Sequence, residues 1–234
     1  MRPDHSSLQS QETNATPELP SLRPGVRLLE APDSSRRQST SVVQALVLDH
    51  LLLNSGYVEW VDAGGHASAQ PIARLVPSER FLERITVARA FTLHQHASLV
   101  ERLADRVSKQ TALVVCPALD RPYREECRDE EAEALLLRAV ARLSSMARSH
   151  DIPVLVTRTR SDEFADPIAT AATECISYEE TRYGPRFAGE GFETLVYPVG
   201  HGLLQTTIAF WQQMLSDRRP LYAESSQRAP AVVG

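Results

Sequence analysis

Two short, continuously apolar runs, residues 112–116 (ALVVC) and 153–157 (PVLVT), joined by one long amphipathic stretch, restrict the fold of this chain more than any other feature. A strand that is apolar without alternation is buried on both faces, and such strands belong to parallel sheets whose crossovers are helices. The intervening residues 129–150 predict a helix. Asp129, Glu130 and Glu131 sit at its positive end, and Leu136, Val140, Leu143 and Ala147 recur on one face. Strand, crossover helix and parallel strand in that order form a right-handed unit.

The same alternation extends in both directions. Residues 26–30 form a short apolar run, and residues 39–53 carry Val42, Val43, Leu46, Val47 and Leu53 at helical spacing. Residues 57–61 predict a strand that ends at Asp62 and a Gly64-Gly65 break. Residues 85–91 predict another strand, and residues 94–107 a helix with Leu99, Leu103 and Val107 inward. Residues 176–182 and 192–199 bracket turn signals at Gly184-Pro185 and Gly189 to Gly191, so an antiparallel hairpin is expected at one edge, followed by a closing helix over 205–215. The expected class is therefore α/β: a three-layer sandwich with a mostly parallel central sheet, helices on both faces and an antiparallel edge hairpin. Residues 1–22, rich in Ser, Gln, Glu, Thr and Pro, are expected to be a disordered arm, residues 23–219 the core domain and residues 220–234 a loose tail.

Charge narrows the function classes. A net charge of -5 gives no global attraction to nucleic acid, so contact with DNA needs a local patch or a partner. No apolar run approaches the roughly 18 residues of a membrane helix, and the N-terminus has polar residues where a signal peptide is hydrophobic; a cytoplasmic protein with no membrane contact is expected. Cys116, Cys127 and Cys175 have no CxxC spacing, which supports neither a disulfide framework nor a zinc site, and no metal is expected. Lys109 is the sole lysine and hence the sole candidate for lysine-dependent chemistry.

Four segments, in order, resemble the ATPase core of the RecA/RadA recombinase family. They are VEWVDAGG in the 57–65 region, RITVARAFTLHQHASLVERLADRV (84–107), TALVVCPALDRPYRE (111–125) and ARLSSMARSHDIPVLVTRTR (141–160). The likeness covers roughly residues 25–200 and implies a RecA-like, P-loop-type sandwich. The family's chemistry is missing from it. ATP hydrolysis on that fold needs G-x-x-x-x-G-K-[ST], whose backbone amides face the phosphates while the lysine neutralises them. The matching stretch here is Pro32, Asp33, Ser34, Ser35, Arg36, Arg37, Gln38 and Ser39, with Thr40 next. Pro32 has no amide hydrogen, Asp33 repels phosphate, Arg37 is disfavoured where glycine takes positive φ, and Gln38 replaces the lysine. Ser39 and Thr40 alone keep the helix-opening hydroxyls.

By the same resemblance, Pro117 stands where an acid would hold the magnesium shell, with Asp120 three residues later beyond a proline turn. Gly64 stands where a glutamate would polarise water, two residues after Asp62, and an Asn-Gln sensor pair becomes Arg158-Thr159. The resemblance thus implies a non-hydrolysing paralogue, a pseudo-ATPase with no catalytic residue and no cofactor. Its degenerate nucleotide-site remnant comprises Ser34, Ser35, Arg36, Arg37, Gln38, Ser39, Thr40 and Asp62. The implied role is accessory or regulatory, in DNA recombination and repair, with a protein partner such as a recombinase and weak direct DNA binding at most. Two alternatives stand beside it: a divergent active ATPase in which Arg36 or Arg37 replaces the lysine, weak ATP binding included, and a scaffold or regulatory protein on the same fold unrelated to recombination.

Several residues admit plainer readings. Arg36 and Arg37 read as a solvated pair beside Asp33. Arg158 and Arg160 are candidate DNA or partner contacts, but Asp162, Glu163 and Asp166 follow and oppose a phosphate backbone, so a charged surface loop is the simpler reading. His94 and His96 point to different helix faces and suit helix-start hydrogen bonding better than a metal. Cys116 reads as a core residue, residues 135–140 as a core stripe, and Asp120, Arg121 and Arg124 as a local salt-bridged loop.

Overall fold

A computed structural model describes residues 18–31, 39–76, 78–126, 130–181, 184–194 and 207–228. The N-terminal half alternates β1 (Gly25–Glu30), α1 (Ser39–Leu53), β2 (Tyr57–Asp62), α2 (Ala69–Leu75), β3 (Ile85–Arg89), α3 (Leu93–Arg106) and β4 (Thr111–Cys116). The C-terminal half continues with α4 (Arg121–Glu126), α5 (Glu130–His150), β5 (Pro153–Thr157), α6 (Asp166–Ala171), β6 (Glu174–Thr181), β7 (Gly184–Gly189), β8 (Phe192–Glu193), α7 (Thr207–Asp217) and α8 (Arg219–Arg228).

The strands make one eight-stranded sheet in the order β3-β2-β4-β5-β1-β6-β7-β8. Every pairing from β3 to β6 is parallel, while β7 and β8 run antiparallel to their neighbours at one edge. The continuous apolar runs become central strands because consecutive residues serve opposite faces. Leu113, Val115 and Leu155 pack under α1, α2, α7 and α8, whereas Val114, Val154 and Val156 pack under α3, α5 and α6. Helices therefore cover both faces, each with its own core. Among the described residues no helix is long and apolar enough to cross a membrane.

The expected antiparallel edge hairpin is present, but its second arm and the two chain ends need correction. The edge hairpin pairs β6 with β7, so Gly184 and Pro185 open a strand instead of marking its turn, and β6 is also a parallel neighbour of β1. Residues 195–199 of the expected second arm lie outside the described residues. The chain from Pro220 is helical to Arg228, with Tyr222 buried and its hydroxyl donating to Asp49 Oδ1 at 2.6 Å. Asp49 also accepts from Arg218 Nε at 2.7 Å, so the turn between α7 and α8 is tied into the core and is no loose tail. Residues 1–17 of the expected arm lie outside the described residues, but Leu19 and Leu22 are buried in the α1-side core.

The expected core stripe of α5 is only partly one: Leu136 and Val140 are buried, whereas Leu137 is 56% exposed. The start of α3 is capped by Thr92 and Gln95, not by histidine. Gln95 N–H donates to Thr92 Oγ1 at the N-cap, and the Gln95 side chain reaches back to accept from Phe91 N–H, one residue before the cap. His96 instead points inward, its Nδ1 2.8 Å from the Tyr123 hydroxyl.

Candidate functional site

In a parallel sheet the carboxyl ends of the strands open on one edge, and ligands bind where the crossovers diverge. Here that point is at β1. The chain leaves β1 through α1 towards β2 on one side, while the crossover from β5 passes over β1 to reach β6 on the other. Residues 32–38 span β1 and α1, so Ser34, Ser35, Arg36, Arg37 and Gln38 lie outside the described residues, as does the expected phosphate loop. Ser39 is the first residue of α1. Thr40 follows in that first turn, its Oγ1 2.8 Å from Nδ1 of His66.

His66 belongs to the loop after β2, which Asp62 organises. Asp62 is fully buried. Its Oδ1 accepts from the backbone N–H groups of Gly64 at 3.3 Å and His66 at 3.0 Å, and its Oδ2 accepts from Ala67 N–H at 3.3 Å. Arg89 Nε lies 3.4 Å from the same Oδ2, because the β2–β3 register sets Arg89 opposite Asp62. Of a carboxylate's roughly four lone-pair positions, three accept hydrogen bonds here, and the Arg89 charge lies against Oδ2. The loop is closed further by Gln44, which donates to the His66 carbonyl at 2.7 Å. A Cβ on Gly64 would sit 2.7 Å from His66 Nε2 and 2.9 Å from Arg121 Nη1, so a larger residue there must displace both side chains. Burial pulls the His66 imidazole below its ordinary pKa, opposed by the nearby Asp62 charge and assisted by Arg121. The ring is therefore neutral at pH 7.

The ends of β4 and β5 carry a second buried acid. After Cys116 the chain turns through Pro117 and Ala118, the latter left-handed at φ 49°. Ala118 N–H donates to Thr157 Oγ1 at 2.7 Å, and Leu119 N–H to the Thr157 carbonyl at 2.9 Å. Asp120 follows this proline turn, three residues after Pro117, as the sequence orders it. Asp120 is fully buried against β5, accepting Thr159 N–H at 2.7 Å, Thr159 Oγ1–H at 2.6 Å and Arg124 Nε–H. Arg124 also donates from Nη1 to Asp162 at 2.9 Å and from Nη2 to the other oxygen of that carboxylate. Burial opposes the Arg124 charge, but the hydrogen bonds to Asp162 and Asp120 outweigh it and hold the guanidinium protonated. The expected salt-bridged loop is present, with Asp162 as a further member and with Arg121 paired instead to Glu125 at 2.7 Å.

Arg158 does not face outward. Its Nε donates to Glu30, the last residue of β1, at 2.7 Å, and its Nη2 donates to Ser161 Oγ at 2.7 Å. It fastens the end of β1 to the segment after β5. Arg160 is exposed. Burial pushes the Cys116 thiol up to about 12, which leaves no thiolate for chemistry near neutral pH. Among the described residues no group of three or more His, Cys, Asp or Glu side chains could hold a metal ion.

The structure thus brings Thr40, Asp62, His66 and Arg89 into one closed loop system, and Asp120, Arg124, Thr159 and Asp162 into another. Sequence reasoning missed His66 and Arg89. The histidine follows the Gly-Gly break with no motif to mark it, and the arginine meets Asp62 only through inter-strand register. No protein-family model matches the chain, and no curated protein matches it.

Proposed function

We propose that this protein is a non-hydrolysing RecA/RadA-like paralogue that acts as an accessory or regulatory partner in DNA recombination and repair. One observation carries the reading: Asp62 and Asp120, the two fully buried acids at the carboxyl edge, are engaged by internal donors. A carboxylate that holds a metal shell or orients water must present free lone pairs to it. Asp62 organises its own loop, and Asp120 ties β5 to α4. Gly64, tightly enclosed by His66 and Arg121, adds no acid beside them. The strand–loop–helix passage from β1 to α1 at the divergence of the crossovers supports the fold half of the reading.

The test uses purified protein with magnesium and ATP. The expected result is no turnover above the blank and no rise in melting temperature; a ligand at about a hundred times its dissociation constant would add about 2.7 kcal/mol. Magnesium-dependent turnover that disappears in Ser39→Ala overturns the non-hydrolysing reading. The recombination half is tested separately, in a strand-exchange reaction driven by a RadA-type recombinase from the same cell. The protein is expected to change its rate, and an unchanged rate at saturating protein refutes that half.

A further inference from the structure

A groove of ≈ 610 Å³ opens between the first turns of α5 and the 3-10 turn Glu163–Ala165 that leads into α6. Its floor is apolar, formed by Ala134, Leu137, Phe164 and Pro167. Leu137 is 56% exposed on a helix that buries Leu136, Val140 and Leu143 and half-buries Leu135. A single exposed leucine is ordinary. This one shares its groove with Phe164, whose ring is held in place by the Arg124 guanidinium 4.6 Å above it.

Among the described residues the free charge of the rim has one sign. Arg124, the only basic residue among the described residues of the lining, is engaged by Asp120 and Asp162. Glu130, Glu133 and Glu163 also line the groove, and among the described residues no basic side chain pairs with them. Three such carboxylates repel a phosphate backbone and an acidic surface alike, while the floor gains from being covered by apolar atoms.

We infer that this groove docks a partner segment in which apolar side chains are flanked by lysine or arginine, a cationic amphipathic peptide. The apolar side chain covers Leu137 and Phe164, and its basic neighbours meet the glutamates of the rim. Charge complementarity selects this occupant. Neither terminal segment outside the described residues has the pattern, since residues 1–17 carry Arg2 alone and residues 229–234 carry no Lys or Arg. The lining of the groove includes neither Thr40 nor Asp62, and the inference stands whether or not the chain hydrolyses ATP.

The probe is a short fluorescein-labelled peptide of leucine and lysine, titrated with the full chain and followed by anisotropy. A glycine–lysine peptide of equal charge and a leucine–glutamate peptide serve as comparisons. The leucine–lysine peptide is expected to bind, and the other two are not. Leu137→Ser, which alters no charge, is expected to weaken binding about five- to tenfold through lost apolar contact. Glu130→Gln, Glu133→Gln and Glu163→Gln should each weaken it about two- to fivefold, while Glu224→Gln on α8 leaves it unchanged. All these side chains are exposed, so melting temperatures should stay close to the parent's, slightly lower for Glu130→Gln and Glu133→Gln, which remove a charge from the positive end of α5. The inference is overturned if the leucine–lysine peptide fails to bind or if the glycine–lysine peptide binds equally. Affinity that survives both Leu137→Ser and the three glutamine variants overturns it too, because the attraction is then only that of net charge.

Discussion

Replacing Asp120 with asparagine separates a structural acid from a functional one. Asparagine keeps the volume, but one of the two carboxylate oxygens becomes an NH2 group. That group faces either Thr159 N–H at 2.7 Å or, in the other orientation, both Thr159 Oγ1 at 2.6 Å and Arg124 Nε. At least one donor then loses its acceptor, and Arg124, whose side chain is 8% exposed, keeps Asp162 as its only charged partner. Removing one partner of a buried ion pair costs about 3–5 kcal/mol, and an orphaned donor about 1–3 kcal/mol. The two costs overlap, and Asp162 retains part of the guanidinium's partnership, so about 3–4 kcal/mol is expected. At about 2–4 °C per kcal/mol for a chain of this size, the melting temperature falls by roughly 6–16 °C. Urea unfolding followed by the fluorescence of buried Trp60 and Trp211 reads the loss as a lower midpoint at unchanged slope. Arg124→Gln should cost a similar amount, and the double variant less than the sum, because both act on one network. An acid retained for catalysis is commonly held at a cost to stability, so its removal leaves a protein as stable or more so. Asp120→Asn with an unchanged or raised midpoint would refute the structural assignment and reopen a catalytic one.

Two further outcomes follow from buried polar groups. His96 is held neutral by burial, its pKa lowered from 6.5 to about 4. Above pH 6.5 neither the folded nor the unfolded imidazole carries the extra proton; between pH 6.5 and 4 only the unfolded one does. Stability therefore falls as pH drops through that window, by up to about 3 kcal/mol. His96→Gln, which keeps a partner for the Tyr123 hydroxyl, should flatten that part of the pH profile in urea titrations, and parallel profiles for the two proteins would contradict the assignment. Tyr222→Phe removes the hydroxyl donor to the buried Asp49 carboxylate while leaving Arg218 in place, at a cost of about 2 kcal/mol. Faster amide exchange in α8 should accompany it, and an unchanged midpoint would mean that residues 219–228 add nothing to the core.

Burial periodicity made much of this fold legible. Residues 39–53 and 153–157 are a helix and a strand over the full ranges expected, because each carries enough buried apolar side chains for local spacing to declare its geometry. The edge hairpin and its first arm are legible, but the second arm is not, because Gly184 and Pro185 suit a turn and an edge strand equally well, and pairing with β6 decides between them. α8 escaped notice because its polar sequence has little periodicity, and its one strong anchor, Tyr222, finds Asp49 from 173 residues away. Both acids of the candidate site are visible in the sequence, and Asp62 ends a recognisable strand. His66 and Arg89 join it through a loop reversal and a strand register that leave no local trace.

The order of residues alone thus determined the layers: which runs are buried strands, which stretches are amphipathic helices, and that the two must alternate around a parallel sheet. It also shows Gln38, Pro117 and Gly64 at the positions where the resemblance expects a lysine and two acids. What only the folded chain decided is the use of the acids that remain. Whether Asp62 and Asp120 face a ligand or their own loops depends on a left-handed Ala118, a register between β2 and β3, and an arginine arriving from α4. Periodicity is a relation among near neighbours, whereas the satisfaction of a buried charge is a relation among distant ones, and it exists only after the sheet has closed.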